Sequence, residues 1–201
     1  MKLYYLPGAC SLAPHIVLRE TGTAVTLAKV DRNTKQTDTG ENFLEVNPKG
    51  YVPAIALDDG TVITEAQVVL QYLADHAPQS GLSPAAGSQD HYKLQEWLGF
   101  ISTELHKNMG SFFNPKQTPE WRETVAALLG KRLDYVTTQL DGKAFVLGDT
   151  FTVADAYLFT VLNWSGKAKF DLSPWPILVA YHKRLSERPS VQQALKEEGL
   201  I

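Results

Sequence analysis

The spacing of apolar positions changes character once along the chain. Up to residue 76, short apolar runs alternate with turn signals, whereas from residue 89 apolar residues recur at helical intervals. Leu3-Tyr4-Tyr5-Leu6 predicts a strand of apolar and aromatic type, Pro7-Gly8 a turn, and Leu12, Ile16 and Arg19 a helix ending near Thr21-Gly22. Val25, Leu27 and Val30 alternate as a second strand. Residues 31–41 are almost wholly polar and belong at the surface, and Phe43, Leu44 and Val46 form a short turn or helix before Asn47-Pro48-Lys49-Gly50. Tyr51 to Leu57 predicts a third strand, opening with a proline, and Asp58-Asp59-Gly60 returns the chain as a hairpin through Thr61-Val62-Ile63. Thr64 is the expected N-cap, with Gln67 completing a capping box, of an amphipathic helix through Val68, Val69, Tyr72 and Leu73.

Between Ala77 and Ser88 the chain holds Pro78, Gly81, Pro84 and Gly87 among serines and alanines, the composition of a linker. Beyond it no strand is predicted. Helices are expected over Gln89 to about Phe113, Pro119 to Leu140, Thr152 to about Gly166, Pro174 to Glu187 and Ser190 to Glu198. Thr152-Val153-Ala154-Asp155 reads as a capping box with Asp in the usual place of Glu. The expectation is an α/β domain over 1–77, a linker over 78–88 and an all-helical domain over 89–201.

Composition narrows the setting. Of 201 residues, 44% are hydrophobic and 20% charged, ordinary proportions for a soluble globular protein. One cysteine excludes an intramolecular disulfide and fits a reducing compartment. The first residues lack the basic region and apolar run of a secretory signal, and no apolar stretch approaches a membrane span. A net charge of −3 without a dense basic block argues against nucleic acid. A cytoplasmic protein that binds neither membrane nor nucleic acid is expected.

Candidate chemistry starts at Cys10, between the end of a strand and the start of a helix. Amide hydrogens and the positive end of the helix dipole favour a thiolate there. The other reading is a small buried core cysteine. On the long helix, Leu94, Trp97, Leu98, Ile101 and Leu105 share a core face, while Gly99, Thr103, His106 and Gly110 fall on another stripe. Small residues around one histidine leave a hollow for a ligand, or serve close packing. Val52-Pro53 is a candidate cis peptide beside the thiol. Glu65-Ala66 opens a helix, whose amides suit a carboxylate, though Glu65 also complements the dipole. Phe112, Phe113 and Trp164 suit an apolar pocket or the core, and Tyr4 and Tyr5 the core. Cys10, His15 and His106 have no compact metal-ligand spacing, and a single thiol forms no dithiol pair.

Along essentially its whole length the sequence resembles the bacterial beta-class glutathione S-transferases. The resemblance is carried by Met1 to Ser11, with its Pro-Gly-Ala-Cys-Ser turn, and by Val46 to Ala54. Thr64-Glu65, Gln71 to Asp75, Glu96-Trp97-Leu98, Thr103 to Lys107 and Phe151 to Tyr157 extend it. It implies a thioredoxin-like glutathione-binding domain followed by an all-helical domain that supplies the electrophile pocket and much of a homodimer contact. Glutathione is the implied co-substrate, with no metal. By the same resemblance Val52, before cis-Pro53, pairs its backbone with the cysteinyl part of glutathione. Glu65 meets the γ-glutamyl ammonium, the Ala66 amide its carboxylate, and Lys35 lies near the glycine carboxylate. His106 faces the sulfur, and Gly99, Thr103, Glu104 and Leu105 border the site. Many relatives have serine at Ala66, and some have asparagine at Gly99, so those side-chain bonds are absent here.

The implied reaction is attack of glutathione thiolate on a hydrophobic electrophile, a detoxification, with Cys10, Ser11 and His106 as catalytic candidates. The alternative is thiol–disulfide exchange or reductive dehalogenation through Cys10. A non-catalytic binding protein of the same fold is the reading from a different class.

Overall fold

The computed structural model describes residues 1–201, which divide into two compact units: Met1–Ser80 with Arg188–Ile201, and Gly81–Glu187. The first unit is built on four strands, Lys2–Tyr5 (β1), Thr26–Lys29 (β2), Ala54–Ala56 (β3) and Val62–Thr64 (β4), in the order β2-β1-β3-β4. β1 and β2 run parallel, with Leu3 opposite Leu27, and the helix Leu12–Thr21 (α1) makes the crossover that a parallel pair requires. β3 is antiparallel to β1 and β4, so the hairpin expected at Asp58-Asp59-Gly60 is present. Leu3, Tyr4 and Tyr5 are all buried, as befits a central strand covered on both faces. On one side Tyr4, Ala28, Val30, Phe43 and Ala54 cluster, Phe43 coming from the short helix Phe43–Val46 (α2). On the other, α1 packs against the helix Ala66–Asp75 (α3).

Three expectations shift. The third strand is shorter than Tyr51–Leu57, because Pro53 has no N–H for the ladder and Tyr51 projects into solvent at 75% exposure. The capping box at Thr64 and Gln67 does not form. Thr64 is instead the last residue of β4, opposite Ala54, and its Oγ1 accepts from Lys49 Nζ at 2.7 Å, so α3 starts later with Glu65 at its N-cap. The last helix, Pro189–Glu197, belongs to the first unit and not to an 89–201 domain, since it packs on α1. The expected linker is also divided. Pro78–Ser80 is a single 3₁₀ turn of the first unit, whereas Leu82 is buried in the second, its carbonyl accepting the Val153 N–H at 3.0 Å.

The second unit is helical throughout. Its helices are Gln89–Phe100 (α4), Lys107–Ser111 (α5), Pro119–Leu140 (α6), Val153–Leu162 (α7), Ser165–Ala168 (α8) and Pro176–Ser186 (α9). The terminal helix of the first unit is thus α10. Every residue of α7 is buried, the pattern of a helix surrounded by others. Its start is fixed by the expected capping box. Asp155 Oδ2 accepts the Thr152 N–H (2.8 Å) and hydroxyl (2.9 Å), while Oδ1 accepts the Val146 N–H (2.9 Å) and the Tyr181 hydroxyl (2.7 Å). The long helix expected from Gln89 is interrupted: Ile101–His106 winds as a π-helical turn between α4 and α5. Leu94, Trp97, Leu98, Ile101 and Leu105 are nevertheless all buried, as their spacing predicts.

Candidate functional site

In the first unit, β1 ends at Tyr5 and the Pro7–Ser11 turn leads into α1. The Ala9 N–H reaches the Leu6 carbonyl at 2.9 Å, and Ser11 Oγ accepts the Leu6 N–H (3.1 Å) and donates to its carbonyl (3.3 Å). Ser11 is fully buried and its hydroxyl closes the turn. The turn sets Cys10 against the segment before β3, where its Sγ donates to the Val52 carbonyl at 3.1 Å. The Val52–Pro53 bond is cis, as expected. Cys10 is partly exposed as a residue, but its thiol group is enclosed. Burial pushes that thiol from an ordinary 9.0 up to about 12, despite the opposing Cys10 and Ser11 amides. Of the two sequence readings of Cys10, its enclosure agrees with the buried one, burial outweighing the amides of the helix start. Removing a thiolate from water costs more than two amide dipoles return.

The other first-unit candidates surround the same segment. Glu65 adopts φ 70°, ψ 120°, a strained conformation for a side-chain-bearing residue. Its exposed carboxylate pairs with Lys49 at 2.5 Å, and Ala66 behind it is buried at the first position of α3. Lys35 also has positive φ (59°), and its Nζ donates to the Gly50 carbonyl at 3.1 Å. Cys10, Val52, Pro53, Glu65 and Ala66 thus ring one end of the sheet. Tyr4 and Tyr5 are core residues, and the Tyr4 hydroxyl donates to Glu41 at 2.8 Å.

In the second unit, His106 closes the π-turn. Its Nδ1 lies 2.6 Å from the Tyr157 hydroxyl, and its ring meets Trp164 edge-on with centroids 4.8 Å apart. Phe113 stands edge-on to Trp164 at 6.0 Å, so two of the three pocket aromatics gather at His106. Phe112 does not join them: it stacks on Phe170 at 5.6 Å beneath the Arg122 guanidinium. A Cβ added at Gly110 would lie in ordinary contact with the His106 ring (3.8 Å) and Trp164 (4.0 Å), whereas one at Gly99 meets nothing within 4 Å, so only Gly99 leaves open space. Thr103 Oγ1 donates to the Gly99 carbonyl (3.0 Å), Glu104 accepts from Arg132 Nε (2.6 Å), and Leu105 is buried in the core.

Tyr157 is the residue that sequence reasoning missed. It sits within a wholly buried helix, where nothing but its hydroxyl distinguishes it from core. No group of three His, Cys, Asp or Glu side chains is arranged to hold a metal ion.

Two family models match the chain, the Glutathione S-transferase N-terminal domain over residues 8–76 and its C-terminal domain over 100–189. The chain belongs to the glutathione S-transferase family. Glutathione S-transferase GstA of Escherichia coli O157:H7 is 48% identical, with all of both chains covered. Among solved structures, the ternary complex of BphK, a bacterial GST, superposes with a TM-score of 0.97 at 51% identity, covering 99% of this chain and all of that one. The beta-class glutathione S-transferase of Sphingomonas chungbukensis matches with a TM-score of 0.95 at 43% identity over the full length of both, which puts this transferase in the beta class. A sphingomonad transferase complexed with glutathione matches equally, 0.95 at 44% with full coverage of both. The two units of this transferase are thus the thioredoxin-like and helical parts of the glutathione S-transferase fold.

Proposed function

We propose that this transferase conjugates reduced glutathione to hydrophobic electrophiles, a detoxification, with glutathione's own sulfur as the nucleophile. The observation that carries this reading is the Cys10 thiol, enclosed, donating to the Val52 carbonyl and pushed up to about 12. A thiol held protonated at neutral pH is a poor nucleophile, so the attacking sulfur is the substrate's and Cys10 lines its site. Glutathione gives up its thiol proton to solvent, its sulfur forms a bond to the electrophilic carbon, and the leaving group departs with the bonding electron pair. The protein's part is to favour the bound thiolate, each unit of lowered pKa being worth about 1.4 kcal/mol.

The residue roles follow the resemblance. The Val52 backbone takes the cysteinyl part as an added strand beside Pro53, Glu65 the γ-glutamyl ammonium, the Ala66 amide its carboxylate, and Lys35 the glycine carboxylate. His106 donates to the sulfur, supported by the hydroxyl of Tyr157 on its other nitrogen. Gly99, Thr103, Glu104 and Leu105 border the site. Phe113 and Trp164 form the wall for the electrophile. Ser11 acts by holding the turn.

A homodimer in the cytoplasm belongs to the same reading. The contact proposed for the second subunit is the half-open hollow of about 570 Å³ on the helical unit, between α4 and α6, lined by Trp97, Phe100 and Tyr135 with Lys93 and Arg132. No helix is long and apolar enough to cross a membrane.

Conjugation of a generic aryl halide, followed by absorbance with and without glutathione, tests the activity. Glutathione that binds without forming product overturns it in favour of a binding protein. Cys10→Ala separates the chemistries. Retained conjugation supports the reading, whereas conjugation lost together with disulfide exchange makes Cys10 the reacting thiol.

A further inference from the structure

One side chain of α6 touches both elements that carry the aromatic wall. Trp164 stands immediately before α8, and Phe113 follows Phe112, the residue that closes α5. With four residues, α8 is too short to be stable by its own hydrogen bonds. It ends in a left-handed turn at Lys169 (φ 51°), where the Lys169 N–H reaches the Gly166 carbonyl (3.1 Å) and the Phe170 N–H the Ser165 carbonyl (2.9 Å). The two carbonyls that follow, of Ala168 and Lys169, accept from Arg122 Nη2 at 2.6 and 2.9 Å. Arg122 lies in the first turn of α6, and its guanidinium also covers the Phe112 ring, 4.6 Å from the centroid.

This contact begins a stack. Phe112 lies on Phe170, and Phe170 lies in turn on Trp175 with centroids 5.9 Å apart. The Trp175 indole donates to Asp134 at 2.7 Å, so the stack is anchored on α6 at both ends. A side-chain-bearing residue at positive φ is strained and persists only where its surroundings hold it. Around Lys169 the guanidinium does so, by charge-assisted hydrogen bonds to backbone oxygens and by attraction to a ring face. We infer that Arg122 is a positioning residue for the electrophile wall: from α6 it holds the end of α5 to the end of α8, and so sets Phe113 against Trp164. The activity consequence rests on the proposed conjugation at that wall, while the structural consequence does not.

The chain has four tryptophans, so protein labelled with fluorotryptophan gives a separate fluorine NMR signal for each, and Trp164→Phe identifies that of Trp164. Arg122→Met keeps an unbranched side chain and removes the guanidinium. It is expected to shift and broaden the Trp164 signal while leaving that of Trp97 in place. Arg184→Met is the matched control for lost stability. Arg184 likewise donates to a carbonyl, that of Ala144, and covers the Phe145 and Tyr181 rings, partners outside α5 and α8. In the activity arm, KM for the aryl halide rises about fivefold in Arg122→Met, close to the worth of one hydrogen bond, while KM for glutathione stays near the wild-type value. A Trp164 signal that does not move, or that moves as far in Arg184→Met, overturns the inference. So does a rise in both KM values together, or in neither. Should Arg122→Met not fold, Arg122→Lys keeps a cation near Phe112 without the planar fork, and must move the Trp164 signal for the inference to stand. If the wild-type protein forms no conjugate, the proposed function fails and the Trp164 signal still decides the role of Arg122.

Discussion

The Tyr157 hydroxyl and His106 Nδ1 are 2.6 Å apart, a contact between the buried centre of the helical unit and the end of its π-turn. With the phenol as donor, a neutral imidazole carries its proton on Nε2, the nitrogen proposed to serve the thiolate. Tyr157→Phe keeps the ring and removes this orientation. We expect kcat/KM for glutathione conjugation to fall about tenfold, close to the worth of one hydrogen bond, with an altered pH profile. An unchanged kcat/KM and pH profile would remove Tyr157 from the proposed mechanism.

The Cys10 thiol has a sharp pH signature. Its folded-state value of about 12 lies above the ordinary 9.0 for the unfolded chain, so the native state holds the proton longer. The thiol's contribution to stability is fully present below about 9, the unfolded value, and is lost as pH rises toward the folded one. Denaturant titrations at pH 8 and pH 10.5 should show a larger loss of stability for wild type than for Cys10→Ser. Parallel curves would mean that the thiol is not enclosed in solution. Alkylation of the wild-type protein should likewise rise with pH without a plateau up to pH 10.

The exposed pair of Glu65 and Lys49 should matter for binding far more than for folding. Surface ion pairs contribute about 0–1 kcal/mol, so Glu65→Gln should move Tm by about 3 °C or less. Its loss toward the γ-glutamyl ammonium is expected to raise KM for glutathione about tenfold, measured at saturating electrophile. If KM holds steady, the ammonium is met by another group.

Asp155 is the opposite case. Burial pushes its carboxyl up, yet four donors converge on its two oxygens from the start of α7, from Val146 and from Tyr181. Asp155→Ala strands these donors inside the second unit, at a cost of about 3–5 kcal/mol. Thermal unfolding should occur about 10 °C lower, and a shift of a degree or two would contradict that accounting.

Much of this was legible from residue order, because local rules and tertiary context agree over most of the chain. The change from alternating to helical spacing near residue 80 locates the all-helical unit, and the Thr152–Asp155 signature marks the start of α7. The Pro7–Ser11 turn places Cys10 where it is found. What escaped depended on contacts distant in sequence. The thiol's protonation is set by burial against Val52, which no window around Cys10 contains. Helix α10 packs on α1, an element far away in sequence, so residue order alone places it with the other unit. Tyr157 was hidden because a hydroxyl in an apolar helix carries no periodic signal. Phe112 and Phe113 are adjacent in sequence, and only packing separates the one on Phe170 from the one at Trp164.

The π-turn at Ile101–His106 has a consequence for how this helix tolerates change. A wider turn splices two stretches of ordinary helix out of phase, so the stripe that buries Leu94 and Trp97 and the flank that brings His106 to Tyr157 are set independently. Residues wound this way advance about as far as one fewer in a regular helix, so deleting one residue there leaves His106 near the same flank, whereas regular winding of the whole segment swings it by about 100° relative to α4, away from its partner. What this short segment encodes is a phase, and its winding is the property of it that the site depends on.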